Sequence, residues 1–203
     1  LGYFPNLTHA PALVGMQKGI FKKKLGKVAL ETKTFNAGPS LIEALFAGEI
    51  DIGYIGPNPA INGYVKSGGK ALRIIAGSSS GGALFVVGEQ SGIKTTADLK
   101  GKKIASPQMG NTQDVALRKY LLDNGMKSVD KGGDVHVMPM ENPSILTMFQ
   151  QKVIDAAWVP EPWGTRLIKE AGAKLFLDER TLWPNGKFVT AHVIARTEFI
   201  EKH

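Results

Sequence analysis

Small polar residues beside proline recur in this sequence wherever an apolar run gives way to a helical pattern. His9-Ala10-Pro11, Gly56-Pro57-Asn58-Pro59, Glu141-Asn142-Pro143 and Pro160-Glu161-Pro162-Trp163 each follow such a run, and Pro107-Gln108-Met109-Gly110 leads into Asn111-Thr112-Gln113. Proline suits the first helical turn, where its missing N–H has no partner to lose and its fixed φ is already helical. The chemistry on offer is anion binding. A helix start presents unpaired N–H groups and the positive end of the helix dipole, so it takes a negative head group without needing Lys or Arg. Ser40, Ser79, Ser80 and Thr112 are small or hydroxylated and let a small ligand approach the backbone at those tips. Taken singly, each such residue reads more readily as an ordinary cap than as a ligand contact; together, on two facing halves, they favour a cleft.

Other site chemistries find less support. There is no glycine-rich dinucleotide or nucleotide loop, no G-x-S-x-G elbow and no H-E-x-x-H pair. With zero Cys, disulfides and thiolate metal sites are excluded, and the four His (His9, His136, His192, His203) lack metal-ligand spacing. His136 reads as a core or face residue of a strand; His9 stands out because it precedes a helix at a strand end. The formal net charge of +7 admits nucleic acid, anionic surfaces or anionic ligands as partners. The one dense basic run, Lys22-Lys23-Lys24 with Lys27, has no interleaved aromatic residues to stack bases and reads as a solvated turn after a helix.

These tips need a scaffold. At 203 residues with 43% hydrophobic composition, the chain can bury a substantial core as one large domain or two small ones. No apolar run approaches the roughly 18 residues of a membrane span. Short apolar runs at 51–55, 72–76, 83–87, 103–106, 135–138, 154–159, 174–177 and 188–195 are expected as strands, with helical patterns between most of them. Ser40 and Glu43 have capping-box spacing ahead of an apolar face ending at Gly48, Val115 to Leu122 repeats that logic up to Gly125, and 162–171 ends at Gly172. Alternating strands and helices predict a mainly parallel α/β sheet. The six small residues at 77–82 are the best candidate for a domain boundary, with a flexible surface loop as the alternative. Without an initiator Met or a tripartite leader, the N-terminus reads as already trimmed.

Six stretches carry a family likeness: THAP (8–11), FNAGPS (35–40), AGEIDIG (47–53), GP (56–57), ADLKGK (97–102) and DAAWVPEPW (155–163). In this order, over almost the whole chain, they resemble the substrate-binding proteins of ABC importers for nitrate, sulfonate, taurine and bicarbonate. The resemblance implies a type II periplasmic-binding-protein-like α/β fold, with mixed, mainly parallel sheets flanked by helices and two crossover strands. It places lobe one at 1–82 and 190–203, lobe two at 83–189, and one ligand in the cleft between them. It also implies further C-terminal helices on lobe one, so the chain reads as truncated.

Carried over residue by residue, the resemblance implies a pocket of His9, Ala10, Pro11, Ser40, Asn58, Pro59, Ser79 and Ser80 from lobe one. Lobe two adds Asn111, Thr112, Gln113, Asn142, Glu161 and Trp163. Sulfonate and taurine binders often carry a Gly-Ser-Thr turn followed by His where this chain reads Gly110-Asn111-Thr112-Gln113-Asp114, so the ligand is expected to differ from a plain alkyl sulfonate. Asp114, Glu141 and Glu161 near helix starts are first-turn carboxylates, or, for Glu161, the partner of a ligand amine or of a bound cation. Trp163, Trp158 and Tyr54 are candidates to wall an apolar ligand body, Trp158 otherwise packing in the core. The implied protein is a monomeric, non-enzymatic carrier without cofactor or nucleic-acid partner. It delivers a small anion or zwitterion to an ABC permease from the periplasm or from a lipid-anchored extracellular position. Two alternatives share the scaffold: a thiamin-pyrimidine-synthase-like enzyme, whose Cys-rich iron motif this chain lacks, and a ligand-sensing domain.

Overall fold

The computed structural model describes residues 1–203 and divides into two units, Leu1–Ser80 with Val189–His203, and Gly81–Phe188. In chain order the first unit runs β1 (Gly2–Tyr3), α1 (Ala10–Gln17), α2 (Ile20–Leu25), β2 (Lys33–Thr34), α3 (Gly38–Phe46), β3 (Ile52–Ile55), α4 (Pro57–Lys66) and β4 (Leu72–Ser80). The second unit holds β5 (Ala83–Gly88), β6 (Lys103–Ser106), α5 (Thr112–Asp123), β7 (His136–Pro139), α6 (Asn142–Gln150), β8 (Ala156–Pro160), α7 (Trp163–Ala171) and β9 (Ala173–Asp178). The chain then returns to the first unit as β10 (Val189–Arg196) and α8 (Thr197–Lys202).

Each unit has a five-stranded mixed sheet, ordered β2-β1-β3-β10-β4 in the first and β7-β6-β8-β5-β9 in the second. One strand in each is reversed. β10 is antiparallel to both β3 and β4, and β5 to both β8 and β9, whereas β1 runs parallel to β2 and β3, and β6 to β7 and β8.

Burial on both faces explains why the strands of the second unit read as continuous apolar runs rather than alternating ones. Phe85, Val87, Ile104 and Trp158 point into one cluster with Leu117 and Leu121 of α5. Their chain neighbours Val86, Ala105, Ala157 and Val159 point into another with Ile145, Phe149 and Leu167 of α6 and α7. Trp158 is fully buried and stacks on Phe85 with 4.9 Å between ring centroids. Its indole N–H donates to Glu179 Oε2 at 2.8 Å, and burial pushes the Glu179 carboxyl above its ordinary range. In the first unit, Leu41 and Leu45 of α3 pack with Ile55, Leu72 and Ile194.

Three local expectations need correction and one alternative is decided. α3 begins at Gly38, ahead of the Ser40–Glu43 box, because Pro39 fits the first turn and Ala37 takes the cap position; the Ser40 hydroxyl donates back to Ala37 O at 2.9 Å. Lys22, Lys23 and Lys24 lie exposed on α2, not in a turn. Residues 77–80 continue β4, because β10 pairs along that strand to Ser80, and only Gly81 and Gly82, at φ 77° and 78°, remain outside strands. Of the two readings of His136, core or face, the structure has the second: it is exposed on an edge strand.

Gly38 marks where the starts of α3 and α4 meet: a Cβ there falls 2.2 Å from Pro59 Cγ. The pyrrolidine ring cannot swing aside, so Gly38→Ala is expected to lower stability by about 1–3 kcal/mol in urea unfolding. An unchanged midpoint and slope contradict this close approach.

Candidate functional site

In the first unit, three helix starts and one strand end gather at the carboxyl edge of the parallel strands. After β1 the chain makes a single 3-10 turn, Leu7–His9, and enters α1 with Pro11 in its first turn. His9 is buried, and its ring lies 4.3 Å from that of Phe4 and 6.2 Å from that of Tyr54. The Phe4 amide donates to His9 Nδ1 at 3.2 Å, which puts the proton of a neutral ring on Nε2. Burial alone pushes the His9 pKa down to about 3, so this group faces its surroundings as an uncharged donor. The Ser79 hydroxyl donates to Thr8 O at 2.7 Å and ties β4 to the same turn.

Ala10 and Asn58 are half-buried, Pro59 is buried against Gly38, and Pro11 and Ser80 are exposed. Gly56 caps α4 with Pro57 as its first residue, so Asn58 sits in the first turn. His9, Ser40, Asn58, Pro59 and Ser79 are thus brought to one edge of one sheet, although Ser40 and Ser79 hydroxyls already serve backbone carbonyls.

The second unit repeats the arrangement with a richer polar set. Asn111, Thr112, Gln113 and Asp114 are four consecutive buried polar residues. Asn111 caps α5, its Oδ1 accepting from the Asp114 amide at 2.8 Å, and its Nδ2 donates to Gln113 Oε1 at 3.3 Å. Asp114 does structural work. It accepts from Ser106 Oγ at 2.8 Å, the Gly110 amide at 2.9 Å and Arg118 Nε at 3.0 Å, binding the β6 tip, the turn and the helix together. Arg118 continues to Ser128 Oγ at 2.9 Å and to both Asp130 oxygens at 3.0 Å.

Beside that loop, the Met140 amide donates to Ser106 O at 2.8 Å and brings in the start of α6. Asn142, the first residue of α6, is 3% exposed and its Oδ1 has no partner. β8 ends at Pro160, and Pro162 occupies the cap position of α7 rather than its first helical position. The Glu161 carboxylate accepts from the Thr165 amide at 3.0 Å and from its hydroxyl at 2.8 Å, so it serves the first turn of α7. The Trp163 ring is half-buried and lies under the Arg166 guanidinium at 4.7 Å. Trp158 belongs to the core and walls no pocket.

The electrostatics are unusual for a chain of net charge +7. The tip segments 4–11, 35–40, 56–59, 77–80, 106–114, 139–142 and 160–163 contain not one Lys or Arg. Within these segments themselves the groups that can meet negative charge are N–H dipoles, hydroxyls, amides and neutral imidazole; the nearby Arg118 is already paired with Asp114. Sequence reasoning passed over His192, which burial also holds below its ordinary pKa; its signal was a lone His inside an apolar strand.

Both histidines are easier to protonate in the unfolded chain, so unfolding takes up protons as pH falls below 6.5, and stability declines there. The wild-type thermal midpoint is expected to drop between about pH 7 and about pH 5, and to drop less in His9→Gln. Identical slopes contradict a buried, neutral His9.

Comparison with known proteins agrees with this architecture. The model of the NMT1-like family matches residues 1–203. A binding protein of Brucella abortus (strain 2308) is 35% identical over 191 residues, covering 94% of this chain and 56% of that protein. The taurine-binding periplasmic protein of Escherichia coli K12 is 27% identical over 193 residues, covering 95% of this chain and 57% of that protein. The chain therefore spans a little over half the length of these relatives. Among solved structures, the alkanesulfonate-binding protein SsuA of Xanthomonas axonopodis pv. citri, bound to MOPS, superposes with a TM-score of 0.82 at 22% identity, covering 99% of this chain and 66% of that one. The fold is that of the periplasmic binding proteins, and the chain belongs to the NMT1-like family.

Proposed function

We propose that this chain is the ligand-capturing part of an extracytoplasmic solute-binding protein that takes a small oxyanion or zwitterion and delivers it to an ABC permease. The ligand class is sulfonate, taurine, nitrate or bicarbonate. The observation that carries this reading is the convergence, in each unit, of helix starts and buried neutral donors at strand tips that contain no cationic side chain. Such a set binds an anion by preorganised dipoles, and it does so reversibly, as a carrier must. The names of the relatives, taurine-binding and aliphatic sulfonates-binding among them, support the same class.

The residues assigned to ligand binding in this proposal are His9, Ala10, Pro11, Ser40, Asn58, Pro59, Ser79 and Ser80 in the first unit, and Asn111, Thr112, Gln113, Asn142, Glu161 and Trp163 in the second. The unpartnered Asn142 Oδ1 is an acceptor, so it marks the place in the second unit where a ligand N–H or O–H, a taurine ammonium or the bicarbonate hydroxyl, would donate. With Glu161 already engaged by Thr165, a ligand ammonium group has to compete with that threonine for the carboxylate. The protein acts as a monomer, without nucleic acid or cofactor, either free in the periplasm or held at the outer face by a lipid anchor.

Titration calorimetry with nitrate, bicarbonate, taurine and ethanesulfonate is expected to show one-site binding of at least one of them without turnover. Asn142→Ala and His9→Ala, in different units, are each expected to weaken that same ligand about tenfold or more. Absence of binding across the four compounds overturns the assignment.

A further inference from the structure

Two buried polar atoms of the first unit, Ser78 Oγ and His192 Nε2, have no hydrogen-bond partner. They sit on neighbouring strands. The pairing of β10 with β4 steps from Ala191↔Ser79 to His192↔Gly77, so β4 advances two residues while β10 advances one, and Ser78 is the extra residue of a bulge beside His192. On its other side His192 is paired with Ile55 of β3. Residues directly opposite in an antiparallel pair project from the same face. On that face Ile55 Cγ1 lies 3.2 Å from the Cβ position of Gly38, which itself abuts Pro59. The imidazole therefore stands on the face where α3 and α4 begin.

His192 is 5% exposed, and an unpaired polar group at such a depth destabilises the fold unless something completes it. Room exists for a completing group: a Cβ built on Gly77, across from His192, meets nothing within 4 Å. The bulge turns the backbone at the point where both orphan atoms occur, as bulges beside binding sites do.

We propose that Ser78 and His192 form a ligand-contacting pair in which the Ser78 hydroxyl and His192 Nε2–H both donate to oxygen atoms of the bound oxyanion. The proposal rests on the anion-binding reading given above and extends its donor set to a bulged strand pair. Burial keeps the imidazole neutral, so recognition is again by dipole. The pair selects ligands with two acceptor oxygens on one centre, the feature that sulfonate, nitrate and bicarbonate share.

The test is calorimetry on the full chain with ethanesulfonate, taurine, sodium nitrate and sodium bicarbonate, for wild type, Ser78→Ala, His192→Ala and His192→Gln. Both alanine variants are expected to weaken the tightest wild-type ligand by about 10- to 100-fold. His192→Gln, which keeps an N–H near the Nε2 position, is expected to retain most of the affinity. Free Ser78→Ala is expected to melt no lower than wild type, because it removes an unpaired hydroxyl; a structural hydroxyl gives the opposite result. Should His192→Ala fail to fold, the wild-type His192 Nε2 resonance must still shift when the same ligand saturates the protein. Unchanged affinity in Ser78→Ala together with an unmoved Nε2 resonance, while wild type binds, overturns this pair and leaves the anion-binding function standing. Failure of wild type to bind any of the four overturns both.

Discussion

Strands that run the same way can be joined only by chain that climbs back over the sheet, and that requirement places every helix start of consequence here. β1, β2 and β3 in the first unit, and β6, β7 and β8 in the second, each hand the chain to a helix at their carboxyl ends. All those N-termini must then lie along one edge of their sheet. The reversed strand β10 ends at the opposite edge, where α8 begins and where charge gathers: Arg196 bonds to Asp51 at 2.6 Å and to Glu198 at 3.0 Å. Topology thus sorts the surface of the first unit into an edge of N–H dipoles and an edge of ion pairs.

The acidic residues near the helix starts are tied down in the protein's own framework. Asp114 joins Ser106, Gly110 and Arg118, and Glu161 holds Thr165. A carboxylate in the first turn is stabilised by the same dipole that attracts an anionic ligand, so each one satisfies locally what a ligand would otherwise meet. What remains open, Asn142 Oδ1 above all, is uncharged. Closely packed helix starts also explain the small residues: Gly38 has room for nothing larger beside Pro59.

Strand and helix types were legible because the core is buried on both sheet faces: runs such as 83–87 and 154–159 admit few other readings. Boundaries were less so. The Gly-Ser run at 77–82 has turn composition, yet most of it is strand, because the ladder with β10, more than a hundred residues away in sequence, overrides local propensity. β2 and α2 were missed since two exposed residues and a short basic helix leave no periodic apolar signal. For the site, the proline-marked starts announced themselves, but which serines retain a free hydroxyl depends on partners such as Thr8 and Ala37 that only the folded chain brings close. His192 offered only the signal of a lone His inside an apolar strand; its unfilled valence beside a bulge is a property of the folded chain.

The order of the strands has a consequence for synthesis on the ribosome. The second unit is contiguous, and once β9 has emerged it possesses every strand of its sheet. The first unit, although begun earlier, lacks the strand that separates β3 from β4 until residues 189–196 appear. During that interval β4 is a nine-residue strand without a neighbour, carrying Ile74 and Ile75, which stay largely exposed even after β10 has paired. An unpaired apolar edge of that length invites pairing with another nascent chain. The N-terminal half is therefore the last to mature and the stretch most in need of chaperone cover.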